Sequence, residues 1–234
     1  MTAGPEPIAD GVWLIRGGIP RRMNVYAIAD GSGVALFDAG ISSMTEQIRR
    51  GTDELGGLTR IVLGHAHVDH RGAAPGLGAP VFCHADDRAD AETDGGLHYQ
   101  DLTKLAPPAR WIYPGLMKHW DGGPVRIEGT VAEGDDIAGF TVIHLPGHSP
   151  GQIALWRESD RLALTTDVFY TTDVYSGRKT KPRLAHDAFN LDRRQALASL
   201  STLALLKPKA AWPGHADPVI GDVYGALEPV VQKG

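Results

Sequence analysis

The strongest local signal in this 234-residue chain lies in residues 61–70, which read Ile61-Val62-Leu63-Gly64-His65-Ala66-His67-Val68-Asp69-His70. The first three residues form a short apolar run, partly β-branched, which predicts a buried strand. Side chains two positions apart point to the same face of extended backbone, so His65 and His67 can reach one ion as the chain leaves the strand. Asp69 and His70 follow after a turn and can face a second ion. Zinc accepts histidine nitrogen and aspartate oxygen, so this spacing indicates a metal site rather than a chance cluster of surface histidines.

Three other polar residues occur in the same context, just past an apolar strand and next to residues that force a turn. His148 follows Leu145-Pro146-Gly147, Asp167 follows Leu164-Thr165-Thr166, and His215 follows Trp212-Pro213-Gly214. Taken alone, each of them is typical of a structural residue whose hydrogen bonds are made within the fold. Loops at one rim of a sheet system come together in space, so we interpret the three, with the four ligand types above, as one metal centre.

The composition excludes several classes of protein. Hydrophobic residues make up 42% and charged residues 22% of the chain, which supports a sizeable core and argues against wholesale disorder. The formal net charge is −5, and no basic stripe or basic amphipathic helix is visible, so we expect neither a nucleic-acid nor a membrane partner. Residues 1–7 lack the basic and apolar regions of a signal peptide. We therefore expect a cytoplasmic protein with a small-molecule substrate, as a monomer or a homodimer.

Short apolar runs separated by glycine-containing turns predict strands in both halves of the chain, and each half closes with a helix. The second helix is expected over residues 191–206, where leucines repeat at helical spacing. We expect one mixed α/β domain over residues 1–234. Residues 95–124 and 171–190 are expected to form irregular loops. The aromatic first loop is either a packed connection or a pocket wall, and the basic second loop is either a solvated surface or a substrate contact.

The motif set resembles the metallo-β-lactamase superfamily of binuclear metallohydrolases. The family signature is a His-x-His-x-Asp-His block, then a later His, an Asp and a final His, and the resemblance runs from Asp38-Ala39-Gly40 to Pro213-Gly214-His215. It implies an α/β fold, a four-layer αββα sandwich with the metals at one edge between two sheets. It also implies two Zn²⁺ ions, with Fe, Mn or Co as alternatives. The implied ligands are His65, His67 and His148 for the first ion, Asp69, His70 and His215 for the second, and Asp167 between the two.

Four positions outside this ligand set bear on the comparison. Asp38 resembles the aspartate that orients a metal-binding histidine in the family, and its alternative is a turn-capping residue before glycine. Arg71 departs from the Gly-Gly pair that usually follows the block in lactonases and glyoxalases. Cys83, the single cysteine, is interpreted as a small buried apolar residue rather than a nucleophile. His186, in the second loop, is either structural or able to approach a substrate.

The resemblance implies a hydrolysis in which a metal-bridging hydroxide attacks the carbonyl of a small ester and Asp69 shuttles a proton. Asp167 is usually absent from true metallo-β-lactamases, and the short segment after His215 leaves little room for the glutathione-binding region of a glyoxalase II enzyme. Tyr170 lies three residues after Asp167, where N-acyl-homoserine lactonases place a tyrosine on the lactone carbonyl. It is either an oxyanion donor or a core residue like Phe169.

We therefore expect a binuclear zinc hydrolase of small esters, with a lactone as the leading substrate and with Asp69 and Tyr170 as catalytic residues. Thioester hydrolysis of the glyoxalase II type is the first alternative. Non-haem iron redox chemistry on the same fold is the second.

Overall fold

Two β-sheets stack face to face between layers of helices in the computed structural model, which describes residues 4–18 and 22–232. The strands are β1 Glu6–Ala9, β2 Val12–Gly17, β3 Met23–Asp30, β4 Gly33–Phe37, β5 Leu58–Val62, β6 Val81–His84, β7 Gly129–Val131, β8 Asp136–Ile137, β9 Phe140–His144, β10 Ile153–Arg157, β11 Leu162–Thr166, β12 Tyr170–Thr172, β13 Lys179–Arg183, β14 Ala210–Pro213 and β15 Val219–Ile220. The helices are α1 Thr45–Glu54, α2 Val68–Arg71, α3 Ala74–Leu77, α4 Arg88–Ala91, α5 Ala109–Trp120, α6 Arg193–Leu205 and α7 Val223–Val231. Residues 1–3, the start of the segment considered for a signal peptide, lie outside the described residues.

Alternation of side chains along the strands builds the two sheets. The first sheet has seven strands in the order β1-β2-β3-β4-β5-β6-β7, and the second has six in the order β15-β14-β11-β10-β9-β8. In β2, Val12 and Leu14 face the second sheet, whereas Ile15 faces the outer helices. In β10, Ile153 faces the first sheet and Ala154 faces outward. This period of two lets each sheet bury apolar side chains on both faces.

The helices form the two outer layers. Ile48 of α1, Ala74 of α3 and Ala91 of α4 pack on the outer face of the first sheet. Leu200 of α6 and Leu227 of α7 pack on the outer face of the second. The αββα sandwich that the resemblance implied is confirmed. Within the described residues, none of the helices has the length and apolar character that a membrane crossing requires.

Five strands bring their carboxyl ends to one edge of the sandwich. In the first sheet β4 and β5 run parallel. In the second, β11 and β14 run parallel, and β9 and β11 are both antiparallel to β10, so β9, β11 and β14 share one direction. The amide of Ile153 donates to the carbonyl of Gly64 (2.8 Å), which joins the end of β5 to the start of β10. The loops that follow these five strands therefore meet.

The two segments expected to be irregular contain regular structure. Residues 95–124 include α5, which the sequence analysis did not predict, and the β12–β13 hairpin occupies much of 171–190. Helix α5 contains Pro114, and Pro and Gly in this segment mask its periodicity. Tertiary packing supports it instead, because Met117 and Tyr113 contact a cluster that includes Val68 and Phe189.

Candidate functional site

The side chains predicted as metal ligands meet around one oxygen atom of Asp167. Its Oδ2 lies 3.2 Å from Nε2 of His215 and 3.3 Å from Nε2 of His70. The same oxygen lies 3.5 Å from Nε2 of His148 and 3.9 Å from Nε2 of His65. Four histidines from three segments of the chain, those that follow β5, β9 and β14, thus surround one carboxylate at the shared edge of the two sheets.

The remaining ligand candidates complete two groups of three. His65, His67 and His148 place one donor atom each within 4.8 Å of one another, and so do Asp69, His70 and His215. Two donors at 2.0–2.1 Å from a tetrahedral ion are roughly 3.3 Å apart. The Asp69 Oδ2 to His215 Nε2 distance of 3.4 Å matches that separation. The grouping agrees with the two ligand sets that the resemblance implied.

Several donor atoms of this cluster are buried without a hydrogen-bond partner among the described residues. They are both ring nitrogens of His65, Nε2 of His148 and Oδ1 of Asp167. A buried polar atom left unpaired costs about 1–3 kcal/mol, and such atoms are rare in folded proteins. Four of them where the two ligand groups converge fit a site built for cations.

Polar neighbours fix which nitrogen two of the histidines present to the cluster. Nδ1 of His70 lies 2.7 Å from Oδ2 of Asp38, and Oδ1 of Asp38 accepts from the amide of Gly64 (2.7 Å). Nδ1 of His148 lies 2.9 Å from Oδ1 of Asn190, whose amide nitrogen donates to the carbonyl of Ala185. Both rings therefore turn Nε2 toward Asp167. The interpretation of Asp38 as an orienting residue agrees with these contacts.

His67 is oriented in the opposite sense. Its Nε2 lies 2.9 Å from the hydroxyl of Tyr99, which leaves Nδ1 as the ring nitrogen available to the cluster. Sequence reasoning placed Tyr99 in an aromatic loop and gave it no role, and it gave none to Asn190. Neither residue carries a local signal, because each contacts a histidine that is distant in the chain.

Charge is distributed unequally over the cluster. Burial lowers the pKa values of His65, His67 and His148, which keeps these rings neutral and able to offer a lone pair. Burial raises the pKa of Asp167, but His215 and His70 outweigh it and hold that pKa well below its usual range. Asp167 is therefore ionised and is a charged donor at the centre of the site.

A buried carboxylate, Asp87, joins the two loops that carry the first group of histidines. Its Oδ2 accepts from the amide of Ala66 (2.9 Å) and from the hydroxyl of Ser149 (2.8 Å), and its Oδ1 accepts from the amide of Gly151 (2.5 Å). Ala66 lies between His65 and His67, and Ser149 follows His148. The sequence analysis gave Asp87 no role, because nothing local distinguishes it from Asp86 beside it.

Arg71, the departure from the Gly-Gly pair, has a structural role. Its side chain is fully buried. The guanidinium donates to the carbonyls of Asp90, Ala91 and Thr93 and to the carboxylate of Asp121 (3.2 Å). Asp121 directly follows α5, so Arg71 ties the ligand-bearing helix α2 to the end of α5.

A cavity of about 260 Å³ opens over the cluster. The ligand candidates that line the cavity form its floor. Its apolar walls come from β3, the loop after β4, α5 and the segment before α6. Tyr170 lines it, and its hydroxyl donates to Oδ2 of Asp167 (2.6 Å). The residues that line the cavity include Met23, Ile41, Met117, Trp120 and Phe189. The aromatic segment 95–124 thus supplies part of a pocket wall, as one of its two interpretations held.

The backbone is strained at one site residue and directly beside two others. Asp38, Thr166 and Ala216 have φ angles of +66°, +44° and +62°, and Thr166 and Ala216 directly flank Asp167 and His215. Such angles are uncommon for residues with a side chain and cluster at functional sites. Gly214 is required by close approach, because a Cβ there would overlap Oδ1 of Asp167 and the ring of His70.

Two other candidates lie away from the cavity floor. His186 lines a second cavity of about 880 Å³, which shares Tyr170 and Thr172 of β12 with the first, and its Nε2 lies 3.1 Å from the hydroxyl of Tyr175. The structure does not bring it to the metal-ligand cluster. Cys83 is fully buried in the first core, as expected of a small apolar residue, and burial raises the pKa of its thiol to about 12.

Comparison with known proteins identifies the family. The sequence pattern described as "Metallo-beta-lactamase superfamily" matches residues 18–215, and the chain belongs to that superfamily. It is 26% identical over 215 residues to the probable metallo-hydrolase YybB of Bacillus subtilis (strain 168), covering 86% of this chain and 85% of that protein. The chain is thus an enzyme of a metallo-hydrolase superfamily.

Two further relatives bear on substrate and metal. The hydroxyacylglutathione hydrolase GloC of Haemophilus influenzae is 28% identical over 159 residues, covering 66% of this chain and 68% of that protein. The crystal structure of TTHA1623 in a di-iron-bound form superposes with a TM-score of 0.65 and 27% identity, covering 93% of this chain and 97% of that one.

Proposed function

We propose that this chain is a binuclear metal-dependent hydrolase of small esters, with a lactone as the first substrate class to test. The observation that carries the proposal is the position of Asp167. One of its oxygens lies within 3.2–3.9 Å of four histidine nitrogens and accepts from the Tyr170 hydroxyl at the floor of a cavity. A carboxylate in that position suits a ligand shared by two cations.

The residues present fit two ions. His65, His67 and His148 would hold one, Asp69, His70 and His215 the other, and Asp167 would bridge them. The unpaired donor atoms of His65, His148 and Asp167 support this assignment. When bound, two such cations supply Lewis acidity and acidify a water toward a pKa of about 7. Zinc suits these nitrogen and oxygen donors. Iron is the alternative metal, because the similar protein TTHA1623 has a di-iron-bound form.

Two side chains are assigned catalytic roles in this proposal. The Asp69 side chain is 18% exposed, against 2% for Asp167, so Asp69 is the carboxylate that can exchange a proton with water in the cavity. Burial, with Asp167 and Asp69 nearby, raises the pKa of Tyr170 well above its usual value, so its hydroxyl stays protonated. In this role the phenol turns its single O–H from Asp167 to the oxygen of a substrate carbonyl as negative charge develops there.

The cavity favours a small substrate. Its volume of about 260 Å³ is slightly below the usual range for ligand pockets, about 300–1,000 Å³. Its apolar walls suit an acyl group or a lactone ring, with the reacting carbonyl directed at the floor. Thioester hydrolysis is the second candidate, because GloC, the hydroxyacylglutathione hydrolase, is 28% identical to the matched part of this chain.

The test is a rate panel on the zinc-loaded and the iron-loaded protein, with an acyl-homoserine lactone, S-lactoylglutathione and a chromogenic cephalosporin as substrates. We expect kcat/KM of about 10⁴ M⁻¹s⁻¹ or more on the lactone. A rate of that size on the thioester alone selects the second candidate. Tyr170→Phe should lower lactone kcat by about tenfold or more with both metals still bound, as removal of an oxyanion donor does. An unchanged kcat would show that Tyr170 has a purely structural role.

A further inference from the structure

One unpaired cation lines the cavity over the metal-ligand cluster. Arg22 is among the lining residues, and it forms no ion pair with any carboxylate in the described part of the chain. The residues outside that part contain no Asp or Glu side chain. Arginine is rarely buried without a paired charge, and Nε of Arg22 is buried without an acceptor among the described residues. An anionic group from outside the chain would supply that partner.

The backbone holds Arg22 beside the ligand candidates. The carbonyl of Arg22 accepts from the amide of Ala216 (2.8 Å), and Met23 pairs with His215 in an isolated antiparallel bridge. The side chain therefore leaves the main chain directly next to the loop that positions His215. This attachment is independent of the side chain, so substitution at position 22 leaves it in place.

The guanidinium is held at one end and lacks an acceptor at the other. Nη1 donates to Oγ1 of Thr172 (2.7 Å), two residues beyond Tyr170 on β12. Nε is buried without an acceptor among the described residues, and Nη2 makes no hydrogen bond within them. Nε and Nη2 form the edge of arginine that binds a carboxylate with two parallel hydrogen bonds. Thr172 thus fixes the group, and its bidentate edge has no partner within the described residues.

We propose that Arg22 binds a carboxylate carried by the substrate, and that this chain acts on small esters or thioesters whose acyl or leaving group is anionic. This inference rests on the proposed function. The cavity is otherwise apolar-walled and small, which suits a short carbon chain between the reacting carbonyl and the carboxylate. The acidic side chains that line the same cavity, Asp69 and Asp167 in the ligand cluster and Asp173 in its ion pair with Arg183, are committed elsewhere. Arg22 is therefore the positive group that a substrate anion would meet.

The test compares two esters that differ in one charge, mono-4-nitrophenyl glutarate and 4-nitrophenyl valerate, on the metal-loaded enzyme. Arg22→Met removes the charge and retains most of the volume. We expect KM for the glutarate ester to rise about 10- to 100-fold, as loss of hydrogen bonds to a charged group implies, with kcat and the valerate parameters within about twofold of wild type. Arg22→Lys keeps the charge without the fork and should recover only part of the loss.

Arg178→Met is the matched control, since Arg178 is an exposed arginine of the β12–β13 hairpin, next to Gly177, which lies beside the Arg22 guanidinium, and it does not line this cavity. It should leave both esters unchanged. A parallel loss on both esters in Arg22→Met, or no loss on either, overturns the inference.

A binding measurement separates this inference from the proposed function. Calorimetric titration of glutarate into wild-type and Arg22→Met protein, each with its metal content measured, needs no turnover. If neither ester is hydrolysed but glutarate binds wild type at least tenfold more tightly, the proposed function fails and the carboxylate site stands. Equal glutarate affinities refute the role of Arg22 whatever the rates are.

Discussion

Asp87→Asn should loosen the metal-ligand cluster without touching a ligand. Asp87 is fully buried and receives three hydrogen bonds, from Ala66, Ser149 and Gly151. Asparagine has one oxygen where aspartate has two. In the better orientation its oxygen keeps Ala66 and Ser149. Its NH₂ group then faces the amide of Gly151, so the Gly151 N–H loses its acceptor and meets further buried donors.

The structure sets the size of this effect. An orphaned buried donor costs about 1–3 kcal/mol, and a central value of about 2 kcal/mol lowers Tm by about 4–8 °C in a chain of this length. The loops that carry His65, His67 and His148 lose one of their shared anchors. We therefore expect weaker metal binding as well, by about tenfold or more, as for other residues that support ligands.

The assay is thermal unfolding followed by circular dichroism, with metal affinity measured by competition against a chromogenic chelator at pH 8. Burial raises the pKa of Asp87 to about 6, so at pH 8 the wild-type carboxyl is ionised. Asp86→Asn is the control, since the Asp86 side chain is 58% exposed, and it should change stability by less than about 0.5 kcal/mol. Equal Tm and equal metal affinity in the two variants would refute the reasoning.

Three other changes have expected outcomes. Asp167→Ala should lower the metal content from two ions toward one and reduce turnover by orders of magnitude, measured by elemental analysis and initial rates, and an unchanged stoichiometry contradicts the bridging role. Arg71→Met should destabilise the fold by about 2–4 kcal/mol in urea unfolding, since it removes a buried, hydrogen-bonded charge. The control Arg50→Met, which loses only an exposed pair with Glu46 among the described contacts, should cost less than about 1 kcal/mol. Because burial raises the pKa of the Cys83 thiol to about 12, iodoacetamide at pH 8 should not modify the native protein but should modify it in urea, as read by mass spectrometry, and rapid native labelling contradicts the burial argument.

Much of the candidate site could be predicted from the sequence because its residues follow strands. His65, His67 and Asp69 are close in the chain, and a two-residue spacing after an apolar strand has one geometric meaning. His148, Asp167 and His215 are far apart in the chain, but each follows a strand that ends at a turn. The parallel direction of β9, β11 and β14 then brings the three loops to one edge.

The unpredicted parts depend on contacts between distant residues. Helix α5 was expected to be a loop, since Pro114 and the aromatic residues around it obscure any helical period. Its apolar residues pack against residues that other segments supply, among them Val68, Ala188 and Phe189. The second loop likewise contains a hairpin, and none of its basic residues, Arg178, Lys179, Lys181 and Arg183, lines the cavity over the metal-ligand cluster.

The sequence by itself determined which chemistry the chain can carry, because ligand types and strand patterning are local properties that neighbours in the chain express. Only the tertiary structure decided how those side chains are oriented and which substrate groups the site can bind. Asp87 differs from Asp86 by its burial, and Tyr99 from other tyrosines by its contact with His67. Arg22 differs from other arginines because one edge of its guanidinium lacks an acceptor among the described residues. Burial and hydrogen-bond partners are set by residues tens to hundreds of positions away. For that reason they cannot be predicted from a local pattern in the sequence.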